Sequence, residues 1–225
     1  MLEVSPILIS IKTAVVAIFI TFFLGIAMAQ WVVSLRSKKV KMLIDGIFTL
    51  PLVLPPTVIG FLLLYLFGVK RPIGQFLLEY FSAKIAFSWE ATVLAAVVIS
   101  LPLMYRSARG AFEQIDDDII NAGRTLGMSE WRIFFKLKIP LAMPGITSGG
   151  ILAFARSLGE FGATAMIAGN IAGKTRTLPL AIYSEVAAGH MEKAYEYVII
   201  IVIVSFFIVF LMNYYSSKEY GNYKK

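Results

Sequence analysis

Five long apolar stretches, separated by shorter polar segments, set the pattern of this 225-residue chain. They cover about residues 6–33, 43–67, 86–106, 141–168 and 194–214. A helix needs about 20 apolar residues to cross the hydrocarbon core of a bilayer. The last stretch contains the run VIIIVIVSFFIVFLM, which cannot be an isolated strand in lipid because its backbone groups would stay unpaired. The pattern predicts an all-α integral membrane protein, with five transmembrane helices in a single domain over residues 1–225.

Composition agrees with this class and argues against several kinds of chemistry. Hydrophobic residues make up 58% of the chain, and the mean hydropathy is +0.78, which is well above the range of soluble domains. The chain has no cysteine, which excludes disulfides and thiol chemistry, and its single histidine, His190, argues against a histidine metal site. We therefore expect no catalytic residue, no metal site and no cofactor bound by this chain.

Basic residues predict the orientation. The loops and tail assigned to one side hold thirteen Lys and Arg, and the loops of the other side hold six. The first group is Arg36, Lys38, Lys39, Lys41, Arg106, Arg109, Arg124, Arg132, Lys136, Lys138, Lys218, Lys224 and Lys225; the second is Lys70, Arg71, Lys84, Lys174, Arg176 and Lys193. Cytoplasmic loops are enriched in Lys and Arg, so the N-terminus is predicted outside and the C-terminus inside the plasma membrane. The net charge of +7 is thus assigned to membrane topology.

Both ends of the chain carry an expectation. The first apolar stretch lacks a basic n-region and is long for a signal peptide, so we interpret it as a retained span. The chain stops about a dozen residues after the last stretch, so no C-terminal regulatory domain is expected.

The long cytoplasmic segment has local signals for two short helices at about 116–139. Asp116 and the two acids after it suit a helix N-terminus, and Gly127 suits a helix end. Ser129 can cap a second helix, and Pro140 with Pro144 is expected to separate that helix from the next span. On these residues alone, the pair is either a membrane-surface element or a docking surface for a soluble partner.

The spacing in this segment carries a resemblance. The segment follows the spacing E-A-A-x3-G-x9-I-x-L-P, with Asn121-Ala122-Gly123, then Gly127, then Leu137-Lys138-Ile139-Pro140. This resembles the cytoplasmic signature of ABC-importer permeases. The resemblance implies a region that couples to a separate ATPase, formed by Asn121, Ala122, Gly123, Arg124, Gly127, Trp131 and Pro140. Asn121 stands where the family has Glu, and Gly123 where it has Ala. Gly123 weakens the helix by about 1 kcal/mol relative to Ala, which packing against the partner would offset.

Two further stretches refine the resemblance. LPLVLPPTVIGFLLL (50–64) and FARSLGEFGATAMIAGNIAGKTRTLP (154–179) are similar to the molybdate permeases of this family, and sulfate and thiosulfate permeases carry looser versions of the second. The resemblance implies the type I ABC importer permease fold, a homodimer, two P-loop ATPase subunits and an extracytoplasmic binding protein. The chain has no P-loop motif of its own, so ATP and Mg are assigned to the partner.

The implied function is ATP-driven molybdate import, with tungstate left open as a further substrate. Sulfate or thiosulfate transport and an ion-coupled secondary transporter remain the alternatives. A membrane-embedded enzyme is disfavoured, because the chain offers few candidate catalytic groups.

Prolines mark the second apolar stretch as a candidate pathway. Pro51, Pro55 and Pro56 fall inside it, and Thr57 follows. Each proline removes a backbone donor and disturbs the preceding turn. The stretch is therefore either a kinked helix or a broken helix whose freed backbone groups line the pathway, which a membrane tolerates only where protein or water covers the break.

The fourth stretch and the loop after it add further candidates. Small residues at four-residue spacing indicate close helix packing. Ser148 and Thr164 are candidate pathway hydroxyls, although such hydroxyls also bond to their own helix. Lys174 and Arg176, in the glycine-rich segment 169–179, are candidates to guide an anion or contact the binding protein, with a solvated loop as the alternative.

Arg156 and Glu160 are charged residues inside the fourth apolar stretch. They are four residues apart, so they share one face of a helix. A lone charge at this depth is costly and needs a partner or a wet cavity. A paired Arg156 and Glu160 is nearly neutral and holds no anion strongly. We therefore predict a structural or gating ion pair, within one helix or across the dimer, with direct substrate contact by Arg156 as the alternative.

Overall fold

A computed structural model describes residues 3–222, with side chains through residue 211 and at Tyr214. Lys224 and Lys225, which entered the predicted orientation, lie outside the described residues, as does the side chain of Lys218. The regular elements of the described part are helical: α1 Ser5–Val33, α2 Lys38–Val53, α3 Pro56–Phe67, α4 Pro72–Phe81, α5 Trp89–Glu113, α6 Asp117–Thr125, α7 Glu130–Ile133, a π-helical turn Phe134–Lys138, α8 Ile139–Leu158, α9 Gly162–Ile167, α10 Leu178–Ala187 and α11 Met191–Asn222. The all-α prediction is confirmed.

Candidate membrane spans follow from length and composition. Within the described residues, α1, α5, the α7–α8 run and α11 are each long and apolar enough to cross a bilayer, and the bent pair α2–α3 is a fifth candidate. Helix α5 continues to Glu113, past the predicted end at 106. Helix α10 lies in a segment that the sequence pattern assigned to a loop.

The centre of the bundle is the parallel pair α1 and α5. The hydroxyl of Thr13 lies 2.9 Å from that of Thr92, and the hydroxyl of Thr21 lies 3.2 Å from that of Ser100. Both pairs have the same sequence offset, so the two helices run in the same direction. Farther along, a Cβ on Gly25 would lie 2.6 Å from Cγ of Met104, so glycine is needed for the close approach. The C-terminal ends of α1 and α5 therefore lie at the same end of the bundle.

That end, which we call the α6 end, also holds α6 and α7. The rings of Phe112 in α5 and Phe134 in the π-helical turn are 6.2 Å apart, and Lys138 Nζ donates to Gln30 Oε1 at 3.5 Å. The opposite end holds the start of α1, where Ser10 Oγ accepts from the first backbone N–H of α10, that of Leu178, at 2.7 Å. Predicted cytoplasmic segments thus meet at one end, and predicted outside segments at the other.

Prolines break the second apolar stretch into two helices. Helices α2 and α3 are bent by 111° at a short interruption. Leu54 and Pro55 are extended there, with ψ of 140° and 136°. Pro55 and Pro56 lack the backbone N–H groups that would continue α2. Of the two alternatives that the prolines allowed, the broken helix is the one that forms.

The fourth stretch departs from its prediction at both ends. Pro140 and Pro144 do not separate α7 from the span, because α7, the π-helical turn and α8 form one continuous run. The π-helical turn is closed by a bond from Ile139 N to Phe134 O, so the register changes just before Pro140. The wider turn accommodates the proline, which has no N–H to donate to the preceding turn. At the other end α8 stops at Leu158, ten residues before the predicted end at 168, and the chain resumes as the short helix α9.

Candidate functional site

The two broken spans meet at their breaks. A Cβ on Gly162, the first residue of α9, would lie 3.0 Å from Cβ of Pro56 and 3.2 Å from the backbone N of Thr57. A Cβ on Gly60 would lie 2.7 Å from Cα and O of Ala163. Glycines on both sides therefore let α3 and α9 approach backbone to backbone. The interruption after α2 and the interruption after α8 form one region, which we call the break site.

Replacing Gly60 with alanine is expected to destabilise the break site. The added methyl group would clash with the backbone of Ala163, which cannot turn aside as a flexible side chain can. We expect a loss of about 1–3 kcal/mol in stability, seen as a lower melting temperature of the purified protein. Gly46→Ala is the matched control, because its methyl group meets no described atom within 4 Å and alanine favours helix. Equal melting temperatures for the two variants would contradict the close packing.

Glu160 and Arg156 form an ion pair beside the break site. Arg156 Nη1 lies 2.8 Å from Glu160 Oε2. Glu160 is 2% exposed, and Arg156 is 33% exposed. The second carboxylate oxygen, Oε1, accepts a hydrogen bond of 2.8 Å from the backbone N of Ala163 in α9. Oε2 receives no aligned hydrogen bond from a described atom, so the charge of Arg156 is its main compensation. Glu160 thus joins the end of α8 to the start of α9.

The other predicted pathway residues are spread over two regions. Pro55 and Thr57 are exposed at the break site, and Pro51 is half-buried within α2. Thr164 is buried in α9, so it faces no open surface of the single chain. Ser148 lies elsewhere and helps to line a pocket of about 630 Å³ near the α6 end. Their roles in transport stay predictions.

The loop 169–177 uses one of its two predicted basic residues internally. Arg176 donates from Nε to Asn170 Oδ1 at 2.9 Å, and its Nη1 lies 3.8 Å from Glu3 Oε2. Thr175, fully buried, accepts from the backbone N of Ile171 and donates to a backbone carbonyl. Arg176 therefore holds the loop against the start of α1. Lys174 is exposed, and contact with an anion or a partner stays a prediction for both residues.

The predicted coupling segment has the expected local structure. Asp116 Oδ1 accepts from Asp118 N at 2.9 Å and caps α6. Gly127 has φ of +74°, and Ser129 caps α7. Helices α6 and α7 therefore begin at the predicted caps, but α7 is the start of the long helix that runs into α8 and not a separate short helix. Gly123 is buried, and a Cβ there would lie 2.9 Å from Cδ1 of Leu137, so this glycine packs against its own chain rather than waiting for a partner.

Polar residues of the coupling segment are tied together. Arg124 donates to both oxygens of Glu130, at 2.7 and 3.3 Å, and to Asn121 Oδ1 at 3.1 Å. The hydrogen bond that Arg124 donates to Glu130 raises the pKa of Arg124 above its ordinary value. Asn121 therefore helps to orient Arg124 on the surface.

Large apolar side chains stand out beside this polar group. Leu126 is 81% exposed and Trp131 is 74% exposed. The Trp131 ring stacks on Phe135 at 5.9 Å, and Pro140 is exposed nearby along the chain. Large exposed apolar side chains near charged residues are typical of an interaction surface. We call Leu126, Trp131 and Phe135 the apolar patch of the α6 end.

Comparison with known proteins decides the family. Residues 7–219 match the family model described as "Binding-protein-dependent transport system inner membrane component". The chain belongs to this family. Such components are the membrane permease subunits of ABC importers, and ATP is hydrolysed by a separate subunit.

Similar permeases cover nearly the whole chain. The putative molybdenum transport system permease protein YvgM of Bacillus subtilis is 43% identical over 93% of this chain and 92% of that protein. The molybdenum transport system permease protein ModB of Haemophilus influenzae is 41% identical over 97% of this chain and 95% of that protein. ModB of Escherichia coli is 46% identical over 81% of this chain and 79% of that protein.

Solved permease structures share the fold. A chain of the MetNI methionine ABC transporter in an inward-facing conformation superposes with a TM-score of 0.74 at 18% identity, over 96% of this permease and 95% of that chain. A chain of a bacterial ABC transporter for alginate import gives the same TM-score at 14% identity, over 96% and 79%. The predicted ABC importer permease fold is confirmed.

One group of charged residues in this permease was missed by sequence reasoning. Lys41 and Asp45 of α2 meet Tyr105, Arg109 and Glu113 of α5. Lys41 Nζ lies 2.7 Å from Glu113 Oε1, Arg109 Nε donates to the same oxygen at 3.0 Å, and Arg109 Nη1 pairs with Asp45 Oδ1. Tyr105 donates to Asp45 Oδ1 at 3.0 Å. We call these five residues the α2–α5 charge cluster. A signal was present, because Asp45 is a carboxylate inside an apolar stretch and needs a partner.

Proposed function

We propose that this chain is the permease subunit of an ABC importer that carries molybdate into the cytoplasm. The observation that supports molybdate as the substrate is the similarity to permeases named for molybdenum transport, at 41% and 43% identity over more than nine-tenths of the chain. Tungstate, a dianion of the same shape and charge, is a proposed second substrate.

The proposed assembly is a homodimer with two ATPase subunits and an extracytoplasmic binding protein. The α6 end faces the cytoplasm, the N-terminus lies outside and the C-terminus inside. The coupling residues from Asn121 to Gly127, with Trp131 and Pro140, dock on the ATPase, which binds ATP and Mg. The apolar patch supports this placement, because Leu126 and Trp131 are large apolar side chains exposed at an end rich in basic residues.

Transport follows from closure of the ATPase pair. ATP binding brings the two ATPase subunits together and moves the docked α6 segments. The movement reaches the break site and switches the spans from inward-open to outward-open. The anion then passes from the binding protein into the dimer axis, where Lys174 guides it, and is released inside.

The Arg156–Glu160 pair serves this cycle by holding the break site rather than the substrate. A buried carboxylate repels a dianion, and its charge cancels that of Arg156. The near-neutral pair keeps the pathway from binding the anion tightly, and the hydrogen bond to Ala163 fixes α9.

Uptake by the reconstituted complex tests the proposed function. The purified permease, its cognate ATPase and its binding protein are placed in liposomes with radiolabelled molybdate. We expect uptake that requires MgATP and all three components, that excess tungstate suppresses and that excess sulfate leaves unchanged. Uptake without the ATPase or nucleotide would identify a secondary transporter. A cognate binding protein that binds sulfate tightly and molybdate not at all would identify a sulfate permease.

A further inference from the structure

The α2–α5 charge cluster lies at the α6 end and has no part in the mechanism described so far. Its Arg109 side chain is 20% exposed and its Asp45 side chain 32% exposed, so water reaches the group only in part. Two cations, Lys41 and Arg109, pair with two carboxylates, so the ion-paired group is neutral, and a third cation, Arg106, lines the small pocket beside it. A neutral, hydrogen-bonded group can sit beside the hydrocarbon core at low cost.

Arg109 is the centre of this cluster. Its guanidinium pairs with Asp45 on α2 and with Glu113 on its own helix, and Nη1 also lies 3.4 Å from the Tyr105 hydroxyl. A guanidinium presents a planar fork of donors, so it fixes direction as well as distance between its partners. Apolar packing between two helices permits sliding, whereas this fork does not.

Helix α2 depends on the cluster for its place in the bundle. None of its residues is buried, and its apolar contacts to the core come from the partly buried Ile44 and Phe48. Helix α3 differs, because Ile59, Gly60 and Leu63 are buried and Gly60 packs on the backbone of α9. Ile59 and Leu63 also share a buried cluster with the first half of α5, so the two halves of the broken span are attached to opposite halves of α5.

The α5 end of the cluster leads directly to the coupling segment. Glu113 is the last residue of α5, and only residues 114–116 separate it from α6. A displacement of α6 by a docked partner therefore reaches Arg109 within about one helical turn of Glu113.

We propose that Arg109 is a positioning residue for transport, which fastens α2 to the α5–α6 segment. Helix α2 then moves together with α6, and the extended residues Leu54 and Pro55 are the hinge on which it turns against α3. Asp45 and Glu113 are the partners that make the attachment rigid. This proposal rests on the proposed function insofar as ATP drives the movement of α6.

Distances between spin labels test the joint movement directly. The chain has no cysteine, so labels go only where cysteines are introduced. Gly46 on α2 and Gly110 on α5 are suitable, because a Cβ at either meets no described atom within 4 Å. Phe61, 54% exposed on α3, supplies the third position. Labelled chains are mixed with excess unlabelled chain in the full complex, so that distances within one chain dominate.

We expect the 46–110 distance to stay constant, within about 1–2 Å, between the nucleotide-free and ATP-bound complexes, while the 46–61 distance changes by more. In the Arg109→Gln complex the 46–110 distribution should broaden. The proposal would be overturned if, with the cluster unaltered, ATP changed the 46–110 distance as much as it changed the 46–61 distance. A 46–61 distance that stays constant during ATP turnover would overturn it as well.

Transport per ATP supplies the second measurement. Arg109→Gln should lower uptake by about tenfold while ATP hydrolysis stays within about twofold of the parent complex. Arg109→Lys keeps the charge and loses the planar fork of donors. Its uptake should lie between that of Arg109→Gln and that of the parent complex. Lys39→Gln, an exposed residue of α2 outside the cluster, is the matched control and should match the parent.

Equal losses of uptake and hydrolysis in Arg109→Gln would indicate general damage and contradict a positioning role. Failure of the proposed function is separate, because it is judged on uptake by the unmutated complex. The label distances respond to nucleotide, whichever anion is carried.

Discussion

Replacing Glu160 with glutamine is expected to reduce ATP-driven uptake by at least about tenfold while the ATPase still docks. The glutamine oxygen can still accept from the backbone N of Ala163, but the amide carries no charge to balance Arg156. Removing one member of a fully buried ion pair costs about 3–5 kcal/mol. Arg156 is one-third exposed, so we expect a smaller loss of stability, about 1–3 kcal/mol. Radiolabelled uptake in proteoliposomes and co-purification of the ATPase are the two measurements.

Two further variants separate the roles of the pair. Arg156→Gln combined with Glu160→Gln should recover part of the uptake if mutual neutralisation is what the break site needs. If Arg156 contacts the substrate, the double variant stays inactive and Arg156→Gln alone raises the apparent KM. Glu192→Gln, on an exposed carboxylate at the start of α11, is the control. Unchanged uptake in Glu160→Gln would remove the pair from the mechanism.

Local signals in the sequence were sufficient for the helices and for the coupling segment. A single apolar run of about 20 residues can satisfy its own backbone in lipid only as a helix, so the all-α class followed from hydropathy. Asp116, Gly127 and Ser129 act on atoms within a few residues, which is why the predicted caps were found where expected. The prolines at 55 and 56 broke a helix for the same local reason.

The sequence was less informative where long-range packing determines a helix end or the approach of two helices. The break between α8 and α9 has no proline, and Glu160 holds it through a contact that depends on the folded chain. Pro140 gave the opposite error, because the π-helical turn before it let the helix continue. The close approach of α1 and α5 had a signal that was overlooked: Thr13, Ala17, Thr21, Gly25 and Ala29 are small, four residues apart and all buried.

The α2–α5 charge cluster shows the same limit for the candidate site. Asp45 indicated the need for a partner, but four basic residues just before it, Arg36, Lys38, Lys39 and Lys41, were equally eligible from sequence. Only the packing of α2 on α5 selects Arg109. The neighbouring Arg106, assigned to the same predicted loop, lines the pocket at the α6 end and also a smaller pocket beside Asp45, Arg109 and Glu113.

Trp131→Ala is expected to weaken binding of the ATPase subunit by about thirtyfold or more. The indole is 74% exposed, stacks on Phe135 and belongs to the apolar patch of the α6 end. Tryptophan is prominent among residues whose truncation costs about 2 kcal/mol or more at protein interfaces, because its large rigid ring is desolvated on binding. Titration of the purified ATPase onto the permease in nanodiscs gives the dissociation constant directly.

Tyr195→Ala is the matched control for Trp131→Ala. Tyr195 is an aromatic residue of similar exposure, 63%, but it lies at the start of α11, at the opposite end of the bundle. Its truncation should leave ATPase binding unchanged, because the proposed orientation puts it outside the membrane. Equal affinities for the two variants would contradict docking at the apolar patch and return α6 and α7 to the membrane-surface alternative. Weaker binding confined to Trp131→Ala would instead support contact between the apolar patch and the ATPase. Both variants remove an exposed aromatic side chain, and they differ in the end of the bundle at which that side chain lies.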